Sequence, residues 1–80
     1  MANFANSPER FTHGALTLIR DSRGTYDVTI EGIVGNIATV TPYAGGQFGW
    51  LHLESGQSGR GSELRAAAQA ILEIEATRTD

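Results

Sequence analysis

The sequence predicts an α+β domain, an antiparallel sheet of about four strands with one C-terminal helix packed on one face (βββ(β)α). Three observations lead there. Leu64, Ala67, Ala68, Ile71, Leu72 and Ile74 fall on one arc of a helical wheel, with Arg65, Gln69 and Glu73 opposite. Tyr26, Val28 and Ile30 alternate with Asp27, Thr29 and Glu31 at the period of a strand. Clusters of Gly, Asn, Asp and Pro punctuate the stretch between Arg20 and Gly61 as turns do. One domain is expected over 1–80, divided into an N-terminal arm (1–13), the sheet (14–54), a Gly/Ser linker (55–61) and the helix (62–77).

The elements follow in order. Ser7 followed by Pro8 reads as the start of a helical turn, and Phe4 and Phe11 flank it as anchors for the arm. The first strand spans Gly14 to Arg20, with Leu16 and Leu18 on one side and Ala15, Thr17 and Ile19 on the other. Asp21-Ser-Arg-Gly24 is turn chemistry, with the glycine free to take a positive φ. The second strand, Thr25 to Glu31, has the alternation of a half-buried antiparallel strand. A two-residue turn at Gly35-Asn36 is the preferred next connection; a turn at Glu31-Gly32, which would pair Ile30 with Ile33 and Tyr26 with Ile37, is the other. Ile37 to Thr41 forms the third strand, stopped by Pro42. After the loop Tyr43 to Gln47 comes a fourth, Phe48 to Glu54. Ser62 is the expected helix N-cap. Glu75 falls inside the apolar arc and calls for an arginine partner, a place past the sheet edge or a role in binding a partner.

One helix can cover only one face of such a sheet. If Leu51 and Leu53 point at the helix, then Phe48, Trp50, His52 and Glu54 line the open face. Together with Asp27 and Glu31 they are the expected partner-binding residues, an aromatic anchor ringed by carboxylates. The other reading makes Trp50 the large core residue.

Composition narrows the function. The chain of 80 residues is 40% apolar, 19% charged and free of cysteine, so it is too apolar for a disordered tail and has no disulfide or thiolate-bound zinc. All six cations are arginines spread along the chain, and the net charge of −3 opposes general attraction to nucleic acid. No apolar run reaches membrane-spanning length and the N-terminus lacks the pattern of a secretory signal, so a cytoplasmic protein is expected. His13 and His52 sit in no zinc-binding pattern, and the glycines match neither a phosphate-binding loop nor a dinucleotide fingerprint. No catalytic residue, metal or cofactor is expected.

The order strand-strand-strand-helix, closed by Arg60-Gly-Ser-Glu-Leu-Arg-Ala-Ala-Ala-Gln-Ala-Ile-Leu72, resembles the latter part of a double-stranded-RNA-binding domain. That family places a lysine cluster where this chain has only Arg60 and Arg65, with Glu63 between them. In layout, size and charge the chain also resembles the small, acidic, cysteine-free inhibitors that phages and mobile elements direct at host defences, the anti-CRISPR proteins among them. That likeness implies a stoichiometric inhibitor, acting in the cytoplasm of a bacterial host on a protein or ribonucleoprotein target. A homodimer through the open face is the third reading.

Overall fold

A computed structural model describes residues 9–77. They form a six-stranded antiparallel sheet and one helix: β1 (Arg10–His13), β2 (Leu16–Arg20), β3 (Tyr26–Ile30), β4 (Ala38–Tyr43), β5 (Gln47–His52), β6 (Ser58–Gly61) and α1 (Leu64–Thr77). The strands lie in chain order, each antiparallel to its sequence neighbour. The α+β class is as expected, but the sheet has six strands where about four were predicted. The expected arm supplies β1, whose Phe11 and His13 pair with Leu18 and Leu16. The expected linker supplies β6, paired with Phe48 to Leu51. The helical turn predicted from Ser7 and Pro8 lies largely outside the described residues, as does Phe4; Arg10 already belongs to a strand.

Paired residues of an antiparallel sheet project to the same face, so the register assigns each side chain. Leu16, Leu18, Tyr26, Val28, Ala38, Val40 and Phe48 are all buried, together with Leu64, Ala67, Ala68 and Ile71 of α1. This is the core, a sheet face roofed by the helix. Phe11, Ile30, Trp50 and Leu72 pack around it, partly buried. The opposite face is rich in threonine: Thr12 pairs with Thr17 and Thr17 with Thr29, while Asp27 lies between Ile19 and Thr39.

The β2–β3 turn forms as predicted. Gly24 adopts φ 90°, and Asp21 Oδ1 accepts the N–H groups of Arg23 at 2.9 Å and Thr25 at 3.0 Å. Partial desolvation acts to raise the Asp21 pKa. The N–H donors of Thr25 and Arg23 and the Arg23 guanidinium outweigh it and hold the carboxyl below its ordinary value. A depressed folded pKa means the turn is supported above the unfolded value and loses that support as pH falls through the folded one. In an NMR titration the amides of Arg23 and Thr25 should therefore shift together, with a midpoint below the usual aspartate range. Asp21→Ala should abolish that transition.

The connection from β3 to β4 is longer than either hairpin expected. The N–H of Ile33 bonds to the Ile30 carbonyl at 3.2 Å, closing a turn at Glu31-Gly32, yet the strands resume pairing only at Val28 and Ala38. Ile30 therefore pairs with Leu16, and Tyr26 with Val40. Pro42 does not stop β4, which continues to Tyr43. The helix begins at Leu64, with the Glu63 carbonyl accepting from Ala66 and Ala67, so Glu63 rather than Ser62 occupies the N-cap position.

Candidate functional site

The orientation of β5 is the reverse of the one expected. Phe48, Trp50 and His52 pair with Pro42, Val40 and Ala38, and so face the helix, whereas Leu51 and Leu53 are 40% and 49% exposed. Facing this side of β5 from the helix is Glu75. Its carboxylate projects from the apolar arc of α1 and is only 4% exposed, as a buried acid can be when a donor meets it. His52, 1% exposed, is that donor, with Nε2 2.6 Å from Glu75 Oε2.

The imidazole is fixed from its other side. The Ser55 N–H reaches Nδ1 at 3.2 Å, which makes Nδ1 an acceptor and puts the ring proton on Nε2, toward Glu75. Ser55 Oγ lies 2.8 Å from the same Nδ1 and accepts the Gln57 N–H at 3.2 Å. Serine, histidine and carboxylate thus stand in the bonding order of a nucleophile, its base and an orienting acid. The neighbouring backbone donors are already engaged: the Gly56 N–H bonds to the His52 carbonyl at 2.9 Å, and that of Gln57 to Ser55 Oγ. What the network does is tie the β5–β6 turn to the C-terminal half of α1. No group of three or more metal-ligating side chains occurs among the described residues.

The six expected partner-binding residues are therefore not gathered on one face. Phe48 and His52 are buried under the helix, and Trp50 packs partly buried against the core. Asp27 is on the opposite face. Glu31 and Glu54 are exposed in loops at one end of the sheet.

That end carries a feature the sequence reading passed over. Ile33 is 42% exposed and Val34 wholly so, in the loop after β3, and Ile33, Leu53 and Glu54 share a cleft of about 380 Å³ with Asn36, Ile37, His52 and Glu75. Ile33-Val34 before Gly35 was the available signal, since large apolar residues in a glycine-flanked loop have no strand face to fill. The result is an apolar patch with Glu31 and Glu54 beside it, directly above the His52–Glu75 pair.

A second concavity lies on the open face. Tyr43, Thr39, Thr41, Leu51, Ser58 and Arg60 surround about 450 Å³. The Tyr43 ring rests on Gly49, where a Cβ would come within 2.4 Å of it, and the Arg60 guanidinium lies 4.7 Å from the ring centroid. Across the sheet Trp50 rests in the same manner on Gly59. Of the arginines in the RNA-binding likeness, Arg60 is held here and Arg65 pairs with Glu63 at 3.4 Å. Gln69, on the helix side opposite the apolar arc with Arg65 and Glu73, accepts from His13 at 2.7 Å and donates to Glu73 at 3.1 Å, bridging β1 and the helix.

No helix among the described residues is long and apolar enough to cross a membrane. No protein-family model matches the chain, and neither do the curated proteins or the solved structures compared with it.

Proposed function

We propose that this chain is a non-catalytic protein-binding module that docks through the end of the sheet bearing Ile33, Val34 and Leu53. The observation that carries the reading is the exposure of these three side chains, 42%, 101% and 49%, beside Glu31 and Glu54. Large apolar side chains grouped in the open and rimmed by charge are a common mark of a protein interface. The rim selects a partner with basic residues around an apolar hollow, and it should make association faster at low salt than at high. Small size, acidity and layout favour a phage or mobile-element inhibitor that blocks a host defence complex one-to-one. In that setting Glu31 and Glu54 retain the role expected of them, while Phe48, Trp50 and His52 support the fold.

Val34→Asp/Leu53→Asp tests the reading. Both side chains are exposed, so the doubly substituted protein should melt close to the parent, within about 0.5 kcal/mol per surface change. Capture from a bacterial lysate should recover, at one-to-one stoichiometry, a protein that the substituted form fails to retain. Equal retention by both forms would remove this patch from consideration. Concentration-dependent sedimentation of the parent, abolished in the substituted form, would instead assign the patch to a homodimer.

A further inference from the structure

We propose that the outer edge of β6 is a strand-addition site for an extended acidic segment of a partner protein, with Arg60 receiving a carboxylate from that segment. It lies apart from the Ile33–Leu53 patch and does not depend on it. β6 is the last strand of the sheet and pairs only with β5 among the described residues. Its hydrogen-bonding direction follows from one bond. The His52 N–H donates to the Gln57 carbonyl at 2.8 Å, and bonded pairs alternate along an antiparallel ladder. Gly59 and Gly61 therefore turn their backbone groups toward Trp50 and Phe48, while Ser58 and Arg60 direct theirs outward. An incoming strand meets two residues' worth of free N–H and C=O groups.

The side-chain chemistry beside this edge is selective. Arg60 is the one charged residue lining the open-face groove; the rest are hydroxyl, apolar or aromatic residues and two glycines. No carboxylate lies within ion-pair distance of Arg60 among the described residues. Its head lies 4.7 Å from the centroid of the Tyr43 ring, which is itself seated on Gly49. A planar donor fork suits a carboxylate, and the ring contact biases where that fork sits before binding. In an added strand, the residue opposite Arg60 projects to the same face, so an acidic side chain there forms a cross-strand pair. Main-chain bonds then supply affinity and Arg60 supplies the choice, the usual division in strand addition. A chain of net charge −3 with one cation in this groove is poorly made for a polyanion, which needs several phosphate contacts at once.

The test uses the whole chain and its only tryptophan, Trp50, one residue from Gly49 and paired with Gly59. The probe is the pentapeptide acetyl-Thr-Val-Glu-Val-Thr-amide, titrated by Trp50 fluorescence, with amide shifts of Ser58 and Arg60 followed in parallel. Saturable binding with shifts at both amides is expected. Glutamine in place of the peptide's glutamate, or Arg60→Met, should weaken it by about tenfold, the loss of one charge-assisted pair. The glutamine peptide leaves the protein untouched, so the comparison holds even if the arginine variant folds poorly. N-methylation of the peptide's glutamate, whose N–H meets the outward Arg60 carbonyl in an antiparallel pair, should also weaken binding. Equal affinity for glutamate and glutamine peptides, indifference to N-methylation, no saturable binding at millimolar peptide, or tighter binding of a single-stranded oligouridylate would each overturn the proposal.

Discussion

His52→Leu should lower the unfolding free energy by about 3 kcal/mol, the lower end of the range for taking away one partner of a buried carboxylate. Leucine keeps much of the volume and the apolar contacts. It removes the Nε2–H that lies 2.6 Å from a carboxylate only 4% exposed. Glu75→Gln keeps an acceptor in place and should cost about 1 kcal/mol. Replacing both residues by leucine should recover part of the loss, because the buried carboxylate is then gone while the Ser55 N–H still lacks the Nδ1 acceptor. Urea titrations of the four proteins measure the coupling directly as a double-mutant cycle. A His52→Leu midpoint indistinguishable from the parent would show that the pair does not hold the helix to β5.

Ile71→Ala is the second substitution expected to weaken the fold strongly, by about 2–5 kcal/mol. Ile71 is wholly buried, while its neighbours on the same helical arc, Ala67 and Ala68, are too small to fill the space it would leave. The alanines set how closely the helix approaches the sheet, and Leu64 and Ile71 supply the bulk. Ile74→Ala, at a half-buried position one turn on, should cost less than half as much. Against a typical total of roughly 5–15 kcal/mol, the Ile71 loss is large enough to read as a lower urea midpoint at unchanged slope. Equal effects at Ile71 and Ile74 would mean that the helix is not seated as described.

The parts of this fold most legible in the sequence were those where residue pattern and burial agree. β3 alternates cleanly because it is central, buried on one face and polar on the other. The helix arc was read correctly at Leu64, Ala67, Ala68 and Ile71. β6 was not legible, because Ser-Gly-Arg-Gly has no strand preference of its own and becomes a strand only by pairing with β5. The orientation of β5 misled for a different reason. Leu51 and Leu53 are the more apolar pair, so burial by side-chain type points them inward. The other side of the strand carries the aromatic rings of Phe48 and Trp50, which pack into the core, and His52, which meets Glu75 on the buried arc. An acid inside an apolar arc is thus a sign in the sequence that the facing strand offers it a polar partner, here on the side that carries Phe48, Trp50 and His52. The apolar loop at Ile33 and Val34 lies at the end of the sheet, where neither the strand period nor the helix period assigns a face.

The strictly sequential order of the six strands also bears on how the chain reaches this state. Each strand pairs with the one just made, so the sheet can grow hairpin by hairpin while synthesis proceeds, without waiting for distant segments. Only the helix closes long loops, joining His13 to Gln69 and His52 to Glu75. The helix follows the strands in the chain, and until it docks the apolar face of the sheet stands open. The interval between completing β6 and seating α1 is when a nascent chain of this design is most exposed to aggregation and most in need of protection.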